Sequence, residues 1–372
     1  MLRAFRFLFA AMVSITSPTF AQDQAQGSQG FLIFSGAYSE QYKETLGVEF
    51  VARNLFSKGI DVNLAAQRNS LGHQWNIDVR RNRDLTTQSF GAPSLVFMGL
   101  RGSEYAWDDA LYQTSKYGAY FGIGLETGQN SSLRATWDLY EFELSNVSAS
   151  ASPIIAAEAG RQFASGLTFQ YNFDTRNRRS EPTSGSFAFL RAELYGLGGD
   201  ADWVGISAGV DHHRSLGPQT VLSFSISGGV AQGRSGYTLN VGERAFLGNP
   251  GLRGFEFGGI GPIDSNGTTS TSLGGNKYVL GSIELEHKMV DLRRSSLSAF
   301  GFVDAGSVWD LDVTTGGFID PIDDSFFLNQ AAGLGVKWNT QQGSFSIYYA
   351  KAMRARATDV TKEIGFSFHV GF

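Results

Sequence analysis

The chain has 372 residues, among them 46 glycines, 30 phenylalanines, 8 prolines and no cysteine, with a formal charge of −5. Without cysteine neither a disulfide framework nor a thiolate metal site can form, and the negative balance argues against a nucleic-acid partner. Charged residues are 17%, below the usual quarter or so of a soluble domain. The mean hydropathy of −0.13 suits strands whose two faces meet different solvents.

Met1 to Arg6 is basic through Arg3 and Arg6, Phe7 to Ile15 is apolar, and Thr19-Phe20-Ala21 ends on small residues. That order predicts a signal peptide over residues 1–21, with a mature N-terminus at Gln22. The apolar run falls short of the roughly 18 residues of a spanning helix, and Pro18 interrupts it. Residues 22–30 form a polar stub, far below the roughly 50 residues of a small domain. Residues 31–372 are therefore expected to form a single domain.

Apolar residues in that domain recur at every second position. Ile60, Val62, Leu64 and Ala66 alternate with Asp61, Asn63, Ala65 and Gln67, and Leu133, Ala135, Trp137 and Leu139 with Arg134, Thr136, Asp138 and Tyr140. Leu222, Phe224 and Ile226 oppose Ser223, Ser225 and Ser227. A period of two marks strands, whereas a helix would repeat at three and four. About sixteen such segments follow one another. The first eight cover 31–37, 44–54, 59–67, 73–82, 93–104, 113–126, 131–143 and 160–173. The rest cover 184–196, 201–214, 218–233, 277–289, 296–308, 328–339, 343–352 and 362–372. Links after even-numbered segments, near Phe56, Gln129, Gly217, Arg293 and Gln342, are short, although the one from Asn82 to Ala92 is longer. The two longest links, 234–276 and 309–327, follow odd-numbered segments. Short turns on one side and long loops on the other are the asymmetry of an outer-membrane barrel.

The last segment places Ile364, Phe366, Phe368, Val370 and Phe372 on one face and Gly365, Ser367, His369 and Gly371 on the other. It resembles the closing strand of bacterial outer-membrane β-barrels, and the resemblance makes Phe366, Phe368 and Phe372 the C-terminal insertion signal read by the barrel assembly machinery. The expected fold is thus all-β, a 16-stranded antiparallel transmembrane β-barrel in the bacterial outer membrane. Outer-membrane lipid, including lipopolysaccharide, is the expected surrounding.

Motifs of enzyme chemistry are missing: the chain has no G-x-S-x-G elbow, no H-E-x-x-H and no Walker loop. Gly122-Ile123-Gly124 and Gly333-Leu334-Gly335 lie inside strands, where glycine marks close packing. His212 and His213 are adjacent and must point to opposite faces. Asp310, Asp312, Asp320, Asp323 and Asp324 lack calcium-loop spacing and read as solvated loop acids. Neither a cofactor nor a metal is expected.

The most specific stretch is Phe246-Leu247-Gly248-Asn249-Pro250-Gly251-Leu252-Arg253-Gly254-Phe255. Leu252-Arg253-Gly254-Phe255 resembles the V-R-G-F/Y loop motif of the BamA-like superfamily, which includes two-partner-secretion transporters and bacterial surface antigens. Ser282-Ile283-Glu284-Leu285 is similar to that family's strand with an inward glutamate. Phe302-Val303-Asp304-Ala305-Gly306 fits its F-x-D-x-G strand. Asp174-Thr175-Arg176-Asn177 with Pro182-Thr183-Ser184-Gly185 looks like its mid-barrel turn, and the likeness runs from about residue 165 to 372.

The resemblance implies that the long loop folds into the lumen and that Arg253 meets Glu284 and Asp304 there. Strand parity permits this, because Glu284 lies opposite Ile283 and Leu285, and Asp304 opposite Val303 and Ala305. It further implies a role in outer-membrane protein assembly or translocation. Family members with that role carry periplasmic POTRA domains, and the expectation for this chain is a barrel without them, served by a separate periplasmic partner. A passive or gated pore for small solutes is the alternative, and an outer-membrane enzyme ranks last.

Overall fold

The computed structural model describes residues 29–372 apart from 40, 56–58, 83–93, 108–110, 180, 293–294, 342 and 372. The expected signal peptide, residues 22–28 of the stub and Phe372 lie outside the described residues.

In chain order the strands begin β1 (Gln29–Ser39), β2 (Lys43–Leu55), β3 (Ile60–Asn69), β4 (Gly72–Asn82), β5 (Leu95–Trp107), β6 (Tyr112–Gly128) and β7 (Ser131–Ser145). A short helix α1 (Pro153–Ala157) precedes β8 (Gly160–Asp174), β9 (Gly185–Gly199), β10 (Trp203–Ser215) and β11 (Thr220–Gly233). The long link then holds β12 (Gly254–Phe255), β13 (Ile263–Ser265) and β14 (Ser270–Ser272). Next come β15 (Lys277–Leu292), β16 (Ser295–Trp309), β17 (Asn329–Thr340), β18 (Gly343–Arg354), β19 (Thr361–Lys362) and β20 (Ile364–Gly371). Sixteen of these close into a barrel in the order β1 to β11, β15 to β18, β20, with β20 back on β1. Every neighbouring pair is antiparallel, for example Phe224↔Ile283 and Ile283↔Val303. Each of the sixteen expected segments overlaps one of these strands, with ends shifted by a few residues.

Alternation decides which side chain faces where. Ile283, Val303, Phe224, Ile226, Leu334 and Trp338 are exposed on the outer wall. Their neighbours Glu284, Asp304, Ser227 and Asn339 are buried on the inner one. The exposed belt is the surface that lipid covers in an outer-membrane barrel, and this chain is a barrel of that kind.

The short strands and the helix are absent from the sequence expectation, since two-residue strands and one-turn helices carry no period to detect. The local signal for α1 was Ser152-Pro153. The Ser152 hydroxyl accepts from the Ile154 amide at 3.2 Å, and proline needs no partner at the first helical position. Links 146–159, 234–276 and 310–328 gather at one end. Their Ile154, Ile155, Leu239, Val241, Leu247, Leu252, Phe255, Leu273 and Ile322 form a core with inward Tyr112, Phe142, Tyr195 and Trp203. Loop and inward wall residues thus share one apolar core at that outer end of the barrel.

Candidate functional site

The site begins with strand register. Ser282 stands directly opposite Asp304, and Glu284 opposite Phe302, so all four side chains crowd one patch of the inner wall. Ser282 Oγ donates to Asp304 Oδ1 at 2.6 Å. On the next strand, Gly333 and Gly335 leave room where a Cβ would stand 2.4 Å from the Phe302 ring and 2.5 Å from the Phe300 ring. The two phenylalanines lie across β17 in that space. Phe302 thereby offers a ring face to the lumen.

Onto this patch comes the turn that contains Arg253. Gly248 and Gly254 take φ values of +143° and +94°, conformations that only glycine adopts without strain. Close approach makes the same demand, because a Cβ on Gly254 would sit 2.9 Å from the Ala331 Cβ. Leu252 and Phe255 are fully buried, and Tyr348 Oη donates to Asn249 Oδ1 at 2.5 Å. The turn is therefore fastened on both sides of its arginine.

Arg253 Nε and Nη2 donate to Asp304 Oδ2 and Oδ1, each at 2.7 Å. Nη1 donates to Glu284 Oε2 at 2.6 Å, and Nη2 also reaches Ser282 Oγ at 3.1 Å. The Arg253 amide adds a bond to Asp304 Oδ2 at 3.1 Å, and the guanidinium carbon lies 3.4 Å from the Phe302 ring centre. A planar fork can serve two carboxylates and a ring at once, which an ammonium cannot. Arg253 is 5% exposed and Asp304 0%, so these charges depend on one another for solvation. The arrangement holds the loop to the wall.

Gly306 has a separate role. It is inward-facing, and a Cβ there would meet Leu280 at 3.2 Å and Leu247 at 3.4 Å, so its bareness admits the loop's Leu247. Phe366 stacks on Tyr38 with centroids 4.1 Å apart, and Phe368 lies 6.4 Å from the same ring.

Several residues that matter here gave no signal in the sequence reading. Asp264, fully buried, accepts from Ser152 Oγ at 2.6 Å, Ile319 N at 2.9 Å and Phe318 N at 3.0 Å. Arg244 pairs with Glu158, and burial raises the Glu158 pKa against that pairing. Glu243 accepts from Tyr237 Oη at 2.9 Å and Asn240 N at 3.1 Å, and burial pushes its pKa up to about 7. Two of the acids read as solvated also accept hydrogen bonds within the loops. Asp312 accepts from Leu239 N at 2.8 Å and Asn276 Nδ2 at 2.9 Å, and Asp324 from Leu311 N at 2.9 Å. Asp264 and Asp312 bind loops that are distant in sequence, and only the assembled outer end brings their donors near.

The closing seam is the second notable feature. β1 and β20 pair only from Ser35↔Gly371 to Tyr38↔Phe368, four positions. β1 pairs with β2 along its whole length, from Gln29↔Arg53 to Ser39↔Lys43. Its other edge over Gln29–Phe34 therefore has no register partner among the described residues. An unpaired strand edge is a template for another strand.

With this geometry in place, comparison with known proteins is informative. The Omp85 superfamily domain profile matches residues 26–372. The outer membrane protein assembly factor BamA of Neorickettsia risticii is 27% identical over 338 residues, 91% of this chain and 44% of that protein. BamA of Nitratidesulfovibrio vulgaris is 25% identical over 327 residues, 86% of this chain and 39% of that protein. The chain thus spans less than half the length of these relatives. Among solved structures, BamA from Haemophilus ducreyi lacking POTRA domains 1–3 superposes with a TM-score of 0.79 at 20% identity, covering 93% of this chain and 71% of that one.

Proposed function

Because the chain belongs to the Omp85 superfamily, we propose that it assembles proteins into the outer membrane, receiving client strands at the seam between β1 and β20. The observation that carries this reading is the shortness of that seam among the described residues, four register pairs from Ser35↔Gly371 to Tyr38↔Phe368. A seam held by so few backbone pairs can part, and the backbone N–H and C=O groups it exposes can hydrogen-bond to an incoming strand whatever its side chains, as in β-strand addition.

The apolar core of loop and wall residues at the outer end supports insertion over export or solute flow. A chain entering from the periplasm meets the core built on Leu239, Leu247, Leu252 and Phe255, whereas the seam opens sideways into lipid. The same core argues against a passive pore. Arg253, held by Glu284 and Asp304, keeps the loop carrying that core in place. Clients are delivered by a periplasmic protein partner. The outer-membrane lipids, lipopolysaccharide among them, cover the exposed belt. The role is thus recognition by backbone pairing and not bond-making catalysis.

The test uses the natural absence of cysteine. Gly36 and Val370 are register partners across the seam, at a separation of roughly 4.5–5.5 Å that a disulfide can span. The full chain in liposomes should accelerate folding of an unfolded second barrel. Oxidising the Gly36→Cys, Val370→Cys protein should abolish that acceleration, and reduction should restore it. Equal acceleration by the oxidised and reduced forms would refute the seam as the working site. Small-solute conductance with no effect on folding would refute assembly altogether.

A further inference from the structure

The Arg253 turn touches more than its carboxylates. Gly254 and Phe255 pair with Lys362 and Thr361, forming the small β12–β19 sheet. The Glu256 amide donates to Val360 O at 2.9 Å, and the Val360 amide donates to Gly259 O at 2.8 Å. β19 ends at Lys362 and β20 begins at Ile364, so the loop grips the chain immediately before the closing strand. On the other side of the seam, Phe257 lies 6.4 Å from the Trp107 ring, and Trp107 lies 6.3 Å from Tyr42 in the β1–β2 turn. Tyr105 completes this cluster of tilted rings at 5.6 Å from Tyr42 and 5.4 Å from Trp107. Trp107 is fixed in turn by its indole N–H, which donates to Thr114 Oγ1 at 2.7 Å.

We propose that Gly254–Phe257 clamp the outer end of the seam from both sides, β20 through β19 and β1 through Trp107 and Tyr42, with Arg253 as anchor. Trp107 and Thr361 are then positioning residues for the seam, a role that parity and motif do not suggest. The two strands are held together at the outer end, whereas no register pair among the described residues joins Gln29–Phe34 to β20. Opening therefore begins at the inner end, and the arginine sets how far it travels. This deepens the assembly reading and rests on it for its purpose, although the clamp itself is a property of the barrel alone.

Hydrogen exchange on the full chain folded in detergent micelles tests it without any client. In Arg253→Ala, amides of 361–371 and of 35–45 should both exchange about tenfold faster or more, while β10 and β11 keep their wild-type rates, as expected of local opening. Trp107→Leu should speed 35–45 alone, and Trp107→Phe, which keeps a ring beside Tyr42 and Phe257, should return most of the protection. If Arg253→Ala does not fold, Lys362→Pro, opposite Gly254 in the register, serves instead. It breaks the β12–β19 pairing but leaves the arginine and its carboxylates, and it should speed 361–371 only. The clamp is overturned if Arg253→Ala or Lys362→Pro frees the loop while 361–371 stays at its wild-type rate. It is equally overturned if all strands speed up together or if Trp107→Leu leaves 35–45 unchanged. Because no client is present, failure here leaves the assembly proposal standing, and failure of the folding assay leaves the clamp standing.

Discussion

Arg253→Ala offers the sharpest test of what holds the loop. The substitution removes a two-point contact with Asp304, with both bonds at 2.7 Å, and a third bond, to Glu284, at 2.6 Å. Hydrogen bonds to charged groups are worth about 1.5–3 kcal/mol each, but they share one side chain and do not add. The larger effect is what remains: two carboxylates on the inner wall with no cation between them. Breaking a buried ion pair from one side typically costs about 3–5 kcal/mol, and losing the contact with the Phe302 face adds about 0.5–2 kcal/mol. A total near 4 kcal/mol would multiply the open population of the loop roughly a thousandfold. Arg253→Lys keeps the charge but cannot span both carboxylates, so it should recover less than half. The assay is limited proteolysis of residues 234–276 in folded protein, combined with a double-mutant cycle between Arg253 and Asp304 in denaturant. A coupling energy below about 0.5 kcal/mol, the scatter expected of independent sites, would refute the reasoning.

Glu243 makes the loop pH-dependent. Its folded pKa is raised by burial to about 7 from 4.5, so between those values the folded state keeps a proton that the unfolded chain has released. Loop stability is therefore highest below about pH 4.5 and falls as pH rises through about 7, by up to about 3 kcal/mol. Glu243→Gln should flatten that dependence of protease sensitivity, and a slope that persists would discount the residue. Asp264→Ala strips the acceptor from Ser152, Phe318 and Ile319. It should loosen links 146–159 and 310–328 together at a cost of about 2–4 kcal/mol, whereas loosening of one alone would show that Asp264 does not join them. Gly333→Ala drives a Cβ to within 2.4 Å of the Phe302 ring and should cost about 1–3 kcal/mol by overpacking. Gly281→Ala meets only Ser225 O at 3.6 Å and should be close to neutral; equal effects in the two would mean that ring placement is unimportant.

The sequence by itself was enough for the barrel once the short-turn and long-loop asymmetry and the closing-strand resemblance were set beside the alternation, which a β-sandwich would share. A period of two repeated in segment after segment admits strands only, and the contrast between greasy Ile283 or Val303 and polar Glu284 or Asp304 assigns each face to a different solvent. Parity alone put both carboxylates on the inner wall, because a strand has only two sides. Tertiary structure decided everything that depends on residues far apart meeting. Nothing in the chain near Asp264 or Asp312 says that their donors come from loops some 50 to 110 residues away, at Ile319, Ser152 and Leu239. Nor does any local pattern show that Gly333 is bare so that Phe302 can lie beneath an arginine. The β12–β19 pairing and the Tyr42–Trp107–Phe257 cluster likewise arise only once the loop has entered the lumen. Periodicity reports how one segment meets solvent. It carries no information about which distant segment supplies the partner for a buried charge, since that is fixed by barrel closure and the depth to which the loop descends.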